Sequence, residues 1–407
     1  MFDQIWHGRL GGLRLVMILA VVGLLVIGLV SIQASDRAGN PRTNYAHKQL
    51  QWIALGMFAF FLANLIPYYH LGRYGFAFFG LAVILLVVVL LGRFLVLRGV
   101  FEPDNPFVPR INGAFRWIKL LPLRSESSLV RAARVQPSEV AKIAYIIALA
   151  WYLRYRKNYR TLSGLIGPFV LTLLPMGLIL LEPDLGTILL FLPVLFTVLF
   201  VAGARVKHLL AIIFLAVLFS PVFYFLMEPY QRQRIEIVFN QDSEDAFWRR
   251  GPGYQLDLSK ISIGTGQVLG NGWEFNPYVR GHLPPHQHND FVFSVVAHQW
   301  GFIGGVGLLV LFSLLILGGI EIAGQQPEPF GRLLAVGFTS LIATQIFINI
   351  AMTMGLMPIT GMTLPFVSYG GSSMLCNFLA FGLLINVARH RPMRLAQKSF
   401  EFKPWAD

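Results

Sequence analysis

The chain has 407 residues, of which 55% are hydrophobic and 13% are charged. Soluble domains carry about 25% charged residues, so this composition and a mean hydropathy of +0.62 exclude an ordinary soluble protein and indicate an integral membrane protein. The net charge of +13 is explained by basic cytoplasmic loops and contact with anionic lipid headgroups, so nucleic acid is not an expected partner.

Ten apolar segments approach the length of about 20 residues that a membrane-spanning helix needs. They are predicted at residues 14–32, 50–67, 75–97, 137–153, 162–181, 185–203, 207–226, 291–320, 332–355 and 372–388. The first segment follows two basic residues but is longer than the apolar core of a signal peptide, so we interpret it as an uncleaved span. We therefore predict an all-α membrane protein that forms a single domain over residues 1–407.

Short basic loops set the predicted orientation. Lys and Arg are concentrated in residues 154–160, 205–208 and 389–394, and ten spans place all three on the side of the N-terminus. The positive-inside rule makes that side cytoplasmic, together with both termini. Two long outer loops then cover about 98–136 and 227–290.

The first outer loop is itself basic, with Arg116 and Lys119 among its seven Lys and Arg residues. Two interpretations stay open. Residues 125–135 would form an amphipathic stretch on the lipid headgroups, or the loop would present a basic surface to an anionic substrate such as a diphosphate.

Two motifs place ionisable residues at the ends of predicted spans. In QPSEVAK, Glu139 and Lys142 lie three residues apart on one helix face. They either pair with each other or line a functional cavity, and the deeper position of Lys142 favours the cavity. In EPDLGT, Glu182 and Asp184 would be acid/base partners, but capping of the following helix by Asp184 is favoured.

Two stretches in and after the outer loops have unusual composition. Gly264, Gly266, Gly270 and Gly272 permit tight turns or close approach of a ligand. Residues 358–375 are too polar and too rich in Gly and Pro for a plain hairpin, so we expect a shaped loop that dips toward a cavity. Its candidate substrate-binding residues are Ser368, Gly370 and Gly371.

The stretch GHLPPHQHNDFVF at 281–293 permits three interpretations. His286, His288 and Asp290 would hold a metal ion, with His282 or His298 as a further ligand, although their spacing matches no strong metal signature. Asp290 would cap a helix that opens at Phe291. In the third interpretation, Asp290 is a catalytic carboxylate at the outer boundary of the membrane.

Seven stretches together resemble the shape, elongation, division and sporulation (SEDS) family, the RodA/FtsW type of cell-wall protein. They are NGAFRW (112–117), QPSEVAK (136–142), EPDLGT (182–187), YQRQRI (230–235), the glycine stretch 264–272, HNDFVF (288–293) and TGMTLPFVSYGGSS (360–373). The glycine stretch and Ala297-His298-Gln299 depart from the usual family pattern.

The resemblance implies a ten-span peptidoglycan glycosyltransferase in the bacterial plasma membrane, acting in elongation or division. It implies polymerisation of lipid II into a nascent glycan strand at the outer face, with a class B penicillin-binding protein as transpeptidase partner. By motif match it implies an essential role for Asp290, with Lys142 as its salt-bridge partner and Trp117 as a site residue.

The chemistry of this transfer assigns roles to the polar residues. Asp290 is the expected general base for the acceptor hydroxyl. The leaving diphosphate needs positioned cations, for which Arg116, Lys119, Lys142 and Arg234 are candidates. A divalent cation, Mg²⁺ or Mn²⁺, would share that task, and displacement would invert the anomeric centre. The rival functions are a lipid II flippase and a non-catalytic scaffold for a transpeptidase.

Overall fold

The computed structural model describes residues 9–38, 44–100, 108–109, 115–119, 134–156, 160–241, 253–272 and 288–390. These ranges hold fourteen helices and two short strands. The helices are α1 (Arg9–Ala38), α2 (Tyr45–Leu65), α3 (Tyr68–Arg73), α4 (Gly75–Leu97), α5 (Pro137–Leu153), α6 (Leu162–Leu181), α7 (Leu185–Ala202), α8 (Val206–Leu218), α9 (Ser220–Leu226), α10 (Pro229–Phe239), α11 (Tyr254–Thr265), α12 (Val292–Gln325), α13 (Pro329–Thr353) and α14 (Gly371–Arg389).

The prediction of an all-helical, multi-pass membrane protein is confirmed. In the described part of the chain, seven helices have the length and hydropathy of a membrane span. They are α1, α4, α6, α7, α12, α13 and α14. The other predicted spans at 50–67 and 137–153 correspond to α2, whose first turns are polar, and α5, which has 17 residues.

The predicted span at 207–226 is wrong as a single helix. The chain forms α8 of 13 residues and α9 of 7 residues, which meet at Phe219. Pro221 stands in the first turn of α9, where its missing N–H leaves no unsatisfied donor. The apolar run that continues through this point hides the break from a hydropathy pattern.

Helix α5 lies at the centre of the bundle. Of its 17 residues, 14 are buried, including both charged ones, Glu139 and Lys142. The spans α13 and α14 are also mostly enclosed, with 72% and 78% of their most apolar windows buried, against 22% for α4. The helices that face lipid are therefore the peripheral ones, and polar side chains concentrate in the central three.

Small residues let α2 and α14 approach each other closely. In the contact of α2 with α14, a side chain at Gly56 would overlap the ring of Phe378, and one at Gly382 would meet Ala63 and the Phe60 backbone. Association of helices in lipid depends on this kind of packing, because lipid chains are as apolar as the side chains.

Helix α12 is broken at Gly301, which has φ 63° and ψ −157°. The glycine stretch after α11 crosses the helix at this break. The N–H of Phe302 donates to the Gln267 carbonyl at 2.8 Å, and the Gly272 N–H donates to the Gln299 carbonyl at 2.9 Å. A side chain at Gly266, Gly270 or Gly301 would overlap backbone atoms of the facing segment.

These contacts give the glycine stretch a structural role. Backbone groups freed by the break are satisfied by a second backbone segment, as a helix interruption at membrane depth requires. The positive φ of Gly270 and Gly301 adds a conformational reason for glycine at both positions.

Little of the first outer loop lies within the described residues, whereas the second is described over 227–241, 253–272 and 288–290. From the first, Ile118–Lys119 (β1) pairs antiparallel with Arg134–Val135 (β2). The amphipathic stretch predicted at 125–135 lies almost wholly outside the described residues. From the second, α10 and α11 pack at the end of the bundle where α13 ends, with Ser259 of α11 donating to the Thr353 carbonyl at 2.8 Å.

Gly301→Ala should destabilise the fold, because φ and ψ at this position suit glycine and the new Cβ would meet the backbone of residues 268–270. A residue forced into such a region loses roughly 1–3 kcal/mol. Gly307→Ala is the matched control in the same helix, since open space surrounds it. Thermal unfolding in detergent should show a lower midpoint for Gly301→Ala alone, and equal midpoints would contradict this account of the break.

Candidate functional site

A cavity of about 410 Å³ opens at one end of the bundle, where α5, α7, α12 and α14 begin and α13 ends. Four helix N-termini therefore meet at one polar space, and each carries the partial positive charge of its helix dipole. The lining residues are Arg116, Trp117, Gln136, Glu139, Lys142, Asp184, Thr187, Leu190, Arg234, Gln255, Asn289, Asp290, Gln345, Ile359, Thr360, Gly361, Met362, Thr363, Tyr369, Gly370, Ser372 and Ser373.

A buried ion pair occupies the α5 wall of this cavity. Lys142 Nζ lies 2.8 Å from Glu139 Oε1, and both side chains are at least nine-tenths buried. The expected pairing of Lys142 with Asp290 is wrong, because the ammonium contacts the carboxylate on its own helix face instead. Both interpretations of the motif hold, since the two residues pair and also line the cavity.

The turn before α7 holds Asp184 in a dense hydrogen-bond network. Its Oδ2 accepts from Thr187 Oγ1 at 2.8 Å, Gln136 Nε2 at 3.1 Å and Ser138 Oγ at 3.2 Å. Its Oδ1 accepts from the Thr187 N–H at 3.4 Å, which confirms the predicted cap of α7. Because its lone pairs are used in these contacts, Asp184 orients the site rather than acting as a free base.

Arg116 is anchored to the same turn. Its Nε donates to the Glu182 carbonyl at 3.1 Å, its Nη2 donates to the Pro183 carbonyl, and its Nη1 lies 4.0 Å from Asp184 Oδ1. The Arg116 side chain is 27% exposed and lines the cavity, so a cation with a fixed position is placed at the cavity wall.

Glu182 lies in that turn, outside the two spans it connects, and it is fully buried. Within the described residues, neither of its carboxyl oxygens has a hydrogen-bond partner. Burial, followed by the neighbouring Asp184, raises the pKa of Glu182 to about 9, against the opposing effect of Arg116 and Arg93. Glu182 is therefore neutral at pH 7, so it is not an ionised acid/base partner of Asp184.

Asp290 lies one residue before the N-cap of α12, which is Phe291. The prediction that Asp290 occupies the cap position is therefore wrong by one residue. Its backbone is fixed by Asn349 Nδ2, which donates to the Asp290 carbonyl at 3.0 Å and to the Met362 carbonyl at 2.6 Å. The position of Asp290 thus depends on α13 and on the 354–370 loop together.

Arg234 reaches the cavity from α10. Its Nη1 donates to the Ile359 carbonyl at 3.0 Å. Burial and the positive charge of Arg116 lower the pKa of Arg234, while the carboxylates of Asp290 and Asp184 act in the opposite direction. Arg116, Arg234 and Asp290, predicted from three distant motifs, therefore interact electrostatically in one site.

The histidines of the 281–293 stretch divide between described and undescribed residues. His282 and His286 lie outside the described residues. The ring of His288 stacks on Tyr45 with centroids 4.0 Å apart, and its carbonyl accepts from the Tyr369 N–H at 2.8 Å. His298 Nδ1 lies 3.0 Å from Thr265 Oγ1, beside the glycine stretch. In the described ranges, no three His, Cys, Asp or Glu residues form a metal-binding group.

The structure brings seven of the ten predicted site residues into the cavity lining: Asp290, Trp117, Arg116, Glu139, Lys142, Arg234 and Gly370. The other three lie elsewhere. Lys119 belongs to β1. Ser368 is buried in its loop, where its Oγ accepts from the Leu364 N–H at 2.8 Å. Gly371 packs against Trp52, whose ring atoms would lie 2.3 Å from a Cβ at this position.

Sequence reasoning missed several polar lining residues. Gln345 lies within an apolar span, and its Nε2 donates to the Thr363 carbonyl at 2.9 Å. Gln136 connects the start of α5 to Asp184, 48 residues further along the chain. The sequence signal that could have identified such residues is a side-chain amide inside a predicted span, as at Gln345 and Asn349. An uncharged polar group in a span also needs a partner.

Fold and site together define the class: an all-helical, multi-pass membrane protein with a basic, carboxylate-containing cavity at one end of its bundle. The family of FtsW, RodA and SpoVE cell cycle proteins matches residues 12–393. The chain therefore belongs to this family, the SEDS proteins.

Individual relatives agree with this assignment. The peptidoglycan glycosyltransferase MrdB of Escherichia coli strain K12 is 36% identical over 69% of this chain and 72% of its own length. A chain from a peptidoglycan synthase complex, whose structure concerns the coordination of polymerization and crosslinking, is 30% identical with a TM-score of 0.73, covering 92% of this chain and 96% of that one. The rod shape determining protein RodA of Thermus thermophilus is 28% identical with a TM-score of 0.64, covering 92% and 96%.

Lys142→Met should leave the Glu139 carboxylate buried without its cation, and loss of one partner of a buried pair costs about 3–5 kcal/mol. The double variant Glu139→Gln/Lys142→Met should recover part of that loss, which gives a coupling of about 1–3 kcal/mol. The effects of Lys142→Met and Asp290→Asn on stability should add. Unfolding midpoints of the two double-mutant cycles test this, and coupling in the Asp290 cycle alone would contradict the pairing.

The stability of the fold should depend on the ionisation of Glu182. Its folded pKa is about 9 against an ordinary value of 4.5, so its stabilising contribution is complete below the lower value and is lost as pH rises toward the higher one. As pH rises from about 6 to about 8, the unfolding midpoint should therefore fall less for Glu182→Gln than for the wild-type chain. The loss of unfolding free energy that Glu182 causes in the wild-type chain is at most about 1.4 kcal/mol per pH unit. Parallel pH profiles would show that Glu182 is already ionised.

Proposed function

We propose that this member of a family containing peptidoglycan glycosyltransferases polymerises lipid II into glycan strands at the outer face of the bacterial plasma membrane, with Asp290 as the general base. The observation that carries the proposal is the placement of Asp290 in one cavity with Arg116, Arg234 and Lys142. A carboxylate beside several cations suits the transfer of a sugar from a lipid diphosphate to a hydroxyl.

In the proposed reaction, Asp290 takes the proton from the acceptor hydroxyl. A sugar hydroxyl is a weak nucleophile at neutral pH, and a positioned carboxylate that takes its proton accelerates attack by about 10²–10⁴-fold. Oδ2 of Asp290 lies near Gly361, where an added Cβ would be 3.6 Å away, so the loop leaves space beside this oxygen. Attack on the anomeric carbon expels the diphosphate and inverts the configuration, from an α-linked diphosphate to a β-glycosidic bond.

The diphosphate side is served by fixed positive charge. Arg116 is held in place by two carbonyls of the 182–184 turn, so it needs no reorganisation to stabilise charge that develops on the leaving group. Arg234 is held by the Ile359 carbonyl. The N-termini of α5, α7, α12 and α14 add partial positive charge and backbone N–H groups at the same end of the bundle.

A divalent cation fits this site in a limited way. Mg²⁺ is commonly held by one or two carboxylates together with substrate phosphates, and one oxygen of Asp290 would be the protein ligand, because Glu139 is already paired with Lys142. The other cavity carboxylate, Asp184, already accepts several hydrogen bonds. When bound, the cation would neutralise charge on the diphosphate, while Asp290 and the arginines perform the steps described above.

The location of the cavity argues against the rival function, a lipid II flippase. A flippase needs polar groups at several depths across the membrane, whereas the cavity residues come from the helix ends that meet at one side. The solved relative within a peptidoglycan synthase complex supports a transpeptidase partner, which we propose to be a class B penicillin-binding protein that crosslinks the product.

Asp290→Asn should lower lipid II polymerisation by at least about 10²-fold, because the amide cannot accept the hydroxyl proton. The purified variant is assayed with labelled lipid II, and glycan products are resolved by gel. Asp257→Asn, which changes an acidic residue of α11 that is absent from the cavity lining, is the matched control and should keep wild-type activity. A folded Asp290→Asn protein that polymerises at the wild-type rate would remove Asp290 from catalysis.

A further inference from the structure

A groove of about 590 Å³ lies at the opposite end of the bundle from the cavity that contains Asp290. It is bounded by the C-terminal parts of α7 and α12 and by the N-terminal part of α13. Helices α7 and α12 both pack on α13 but make little contact with each other. The groove is the space that this arrangement leaves between them.

The groove is apolar and open to the lipid that surrounds the bundle. Val201 and Ile320, on its two sides, are exposed, and both belong to membrane spans. Two of its hydroxyl groups are used within the protein: Ser340 Oγ donates to Thr197 Oγ1 at 3.2 Å, and Thr197 Oγ1 donates to the Pro193 carbonyl at 2.7 Å. The walls therefore offer hydrocarbon surface, which favours an occupant from the bilayer.

The groove also has the length of a lipid chain. On α13 it extends from Arg332 through Val336 and Ser340 to Thr344, at intervals of four residues that keep to one helix face. The rise of α13 between Arg332 and Thr344 is about 18 Å, and one leaflet contributes about 15 Å of hydrocarbon. An acyl chain on this face would lie within one leaflet, with its headgroup at Arg332.

A cation with a fixed position stands at that end of the groove. Arg332 is exposed, and its Nε donates to the Gln326 carbonyl at 3.1 Å. Among the residues that the structure describes, no carboxylate forms a salt bridge with Arg332 and no acceptor is bonded to its two terminal nitrogens. The nearby Glu328 is used in capping α13, where it accepts from the N–H groups of Phe330 and Gly331. Arg332 therefore presents uncompensated positive charge and two donor nitrogens at the end of a hydrocarbon groove.

We propose that this groove binds one anionic phospholipid, with an acyl chain along α13 and the phosphate on Arg332. A planar guanidinium matches a phosphate through two parallel N–H···O bonds. The hydrocarbon walls select a lipid over a soluble anion, and the charge of Arg332 selects an anionic headgroup over a zwitterionic one. The volume falls within the range of about 300–1,000 Å³ that is usual for small-molecule sites. This site does not depend on the proposed function.

The test compares two lipids that differ in headgroup charge. The full chain is reconstituted in vesicles of equal parts phosphatidylglycerol, which is anionic, and phosphatidylcholine, which is zwitterionic, with the same acyl chains. It is then extracted in detergent, and the lipids bound to each chain are identified by native mass spectrometry. The wild-type chain should retain one phosphatidylglycerol about fivefold better than phosphatidylcholine, the factor that corresponds to about 1 kcal/mol for one arginine at an anionic surface.

Two pairs of variants locate the lipid. Arg332→Gln should remove the preference, while Arg205→Gln, which changes an exposed arginine after α7 that does not line the groove, should keep it. Gly324→Phe fills the groove at a position with open space and should abolish retention of phosphatidylglycerol. Gly177→Phe on α6, equally open but outside the groove, should retain the lipid.

Several outcomes would overturn the proposal. They are equal retention of both lipids by the wild-type chain, a preference that survives in Arg332→Gln, and retention of phosphatidylglycerol by Gly324→Phe. A dimer that Gly324→Phe dissociates would also overturn it, because a second copy of the chain would then fill the groove.

Discussion

The buried ion pair of Glu139 and Lys142 is the constraint that organises this end of the molecule. Charged side chains in a membrane span are costly unless they are paired or face a polar cavity. Here they pair at 2.8 Å, and α5, which carries them, is almost wholly enclosed by protein. The polar first turns of α7, α12 and α14 surround the ion pair. The cavity therefore follows from the requirement that these charged side chains face polar groups and not lipid.

A second level of organisation comes from amides and carbonyls rather than from charges. Asn349 connects α13 to the backbone at Asp290 and to the loop at Met362. The carbonyls of the 182–184 turn hold Arg116. Asp290, the proposed general base, and Arg116, the proposed principal cation, are thus positioned in part by neutral groups.

Much of the fold could be predicted from the sequence, because uninterrupted apolar runs specify spans directly. The breaks at Phe219 and Gly301 could not, since both lie inside apolar runs and depend on how neighbouring segments satisfy the backbone. The motif residues Asp290, Arg116 and Arg234 could be assigned to one site from their chemistry and family resemblance. The partner of Lys142 could not be settled, because its pairing depends on the depth and direction of two helices that start 155 residues apart. The glycine stretch has a ligand-binding composition, but two of its glycines, Gly266 and Gly270, serve close backbone contact with α12.

The central claim is that the cavity catalyses glycan synthesis rather than transport or scaffolding. The most direct measurement supplies the purified wild-type chain with labelled lipid II, in the absence of any other glycosyltransferase, and separates the products by length. Our account predicts glycan strands of many disaccharides joined by β-linkages. Unchanged lipid II, with a folded protein that binds it or moves it across a vesicle membrane, would contradict the account.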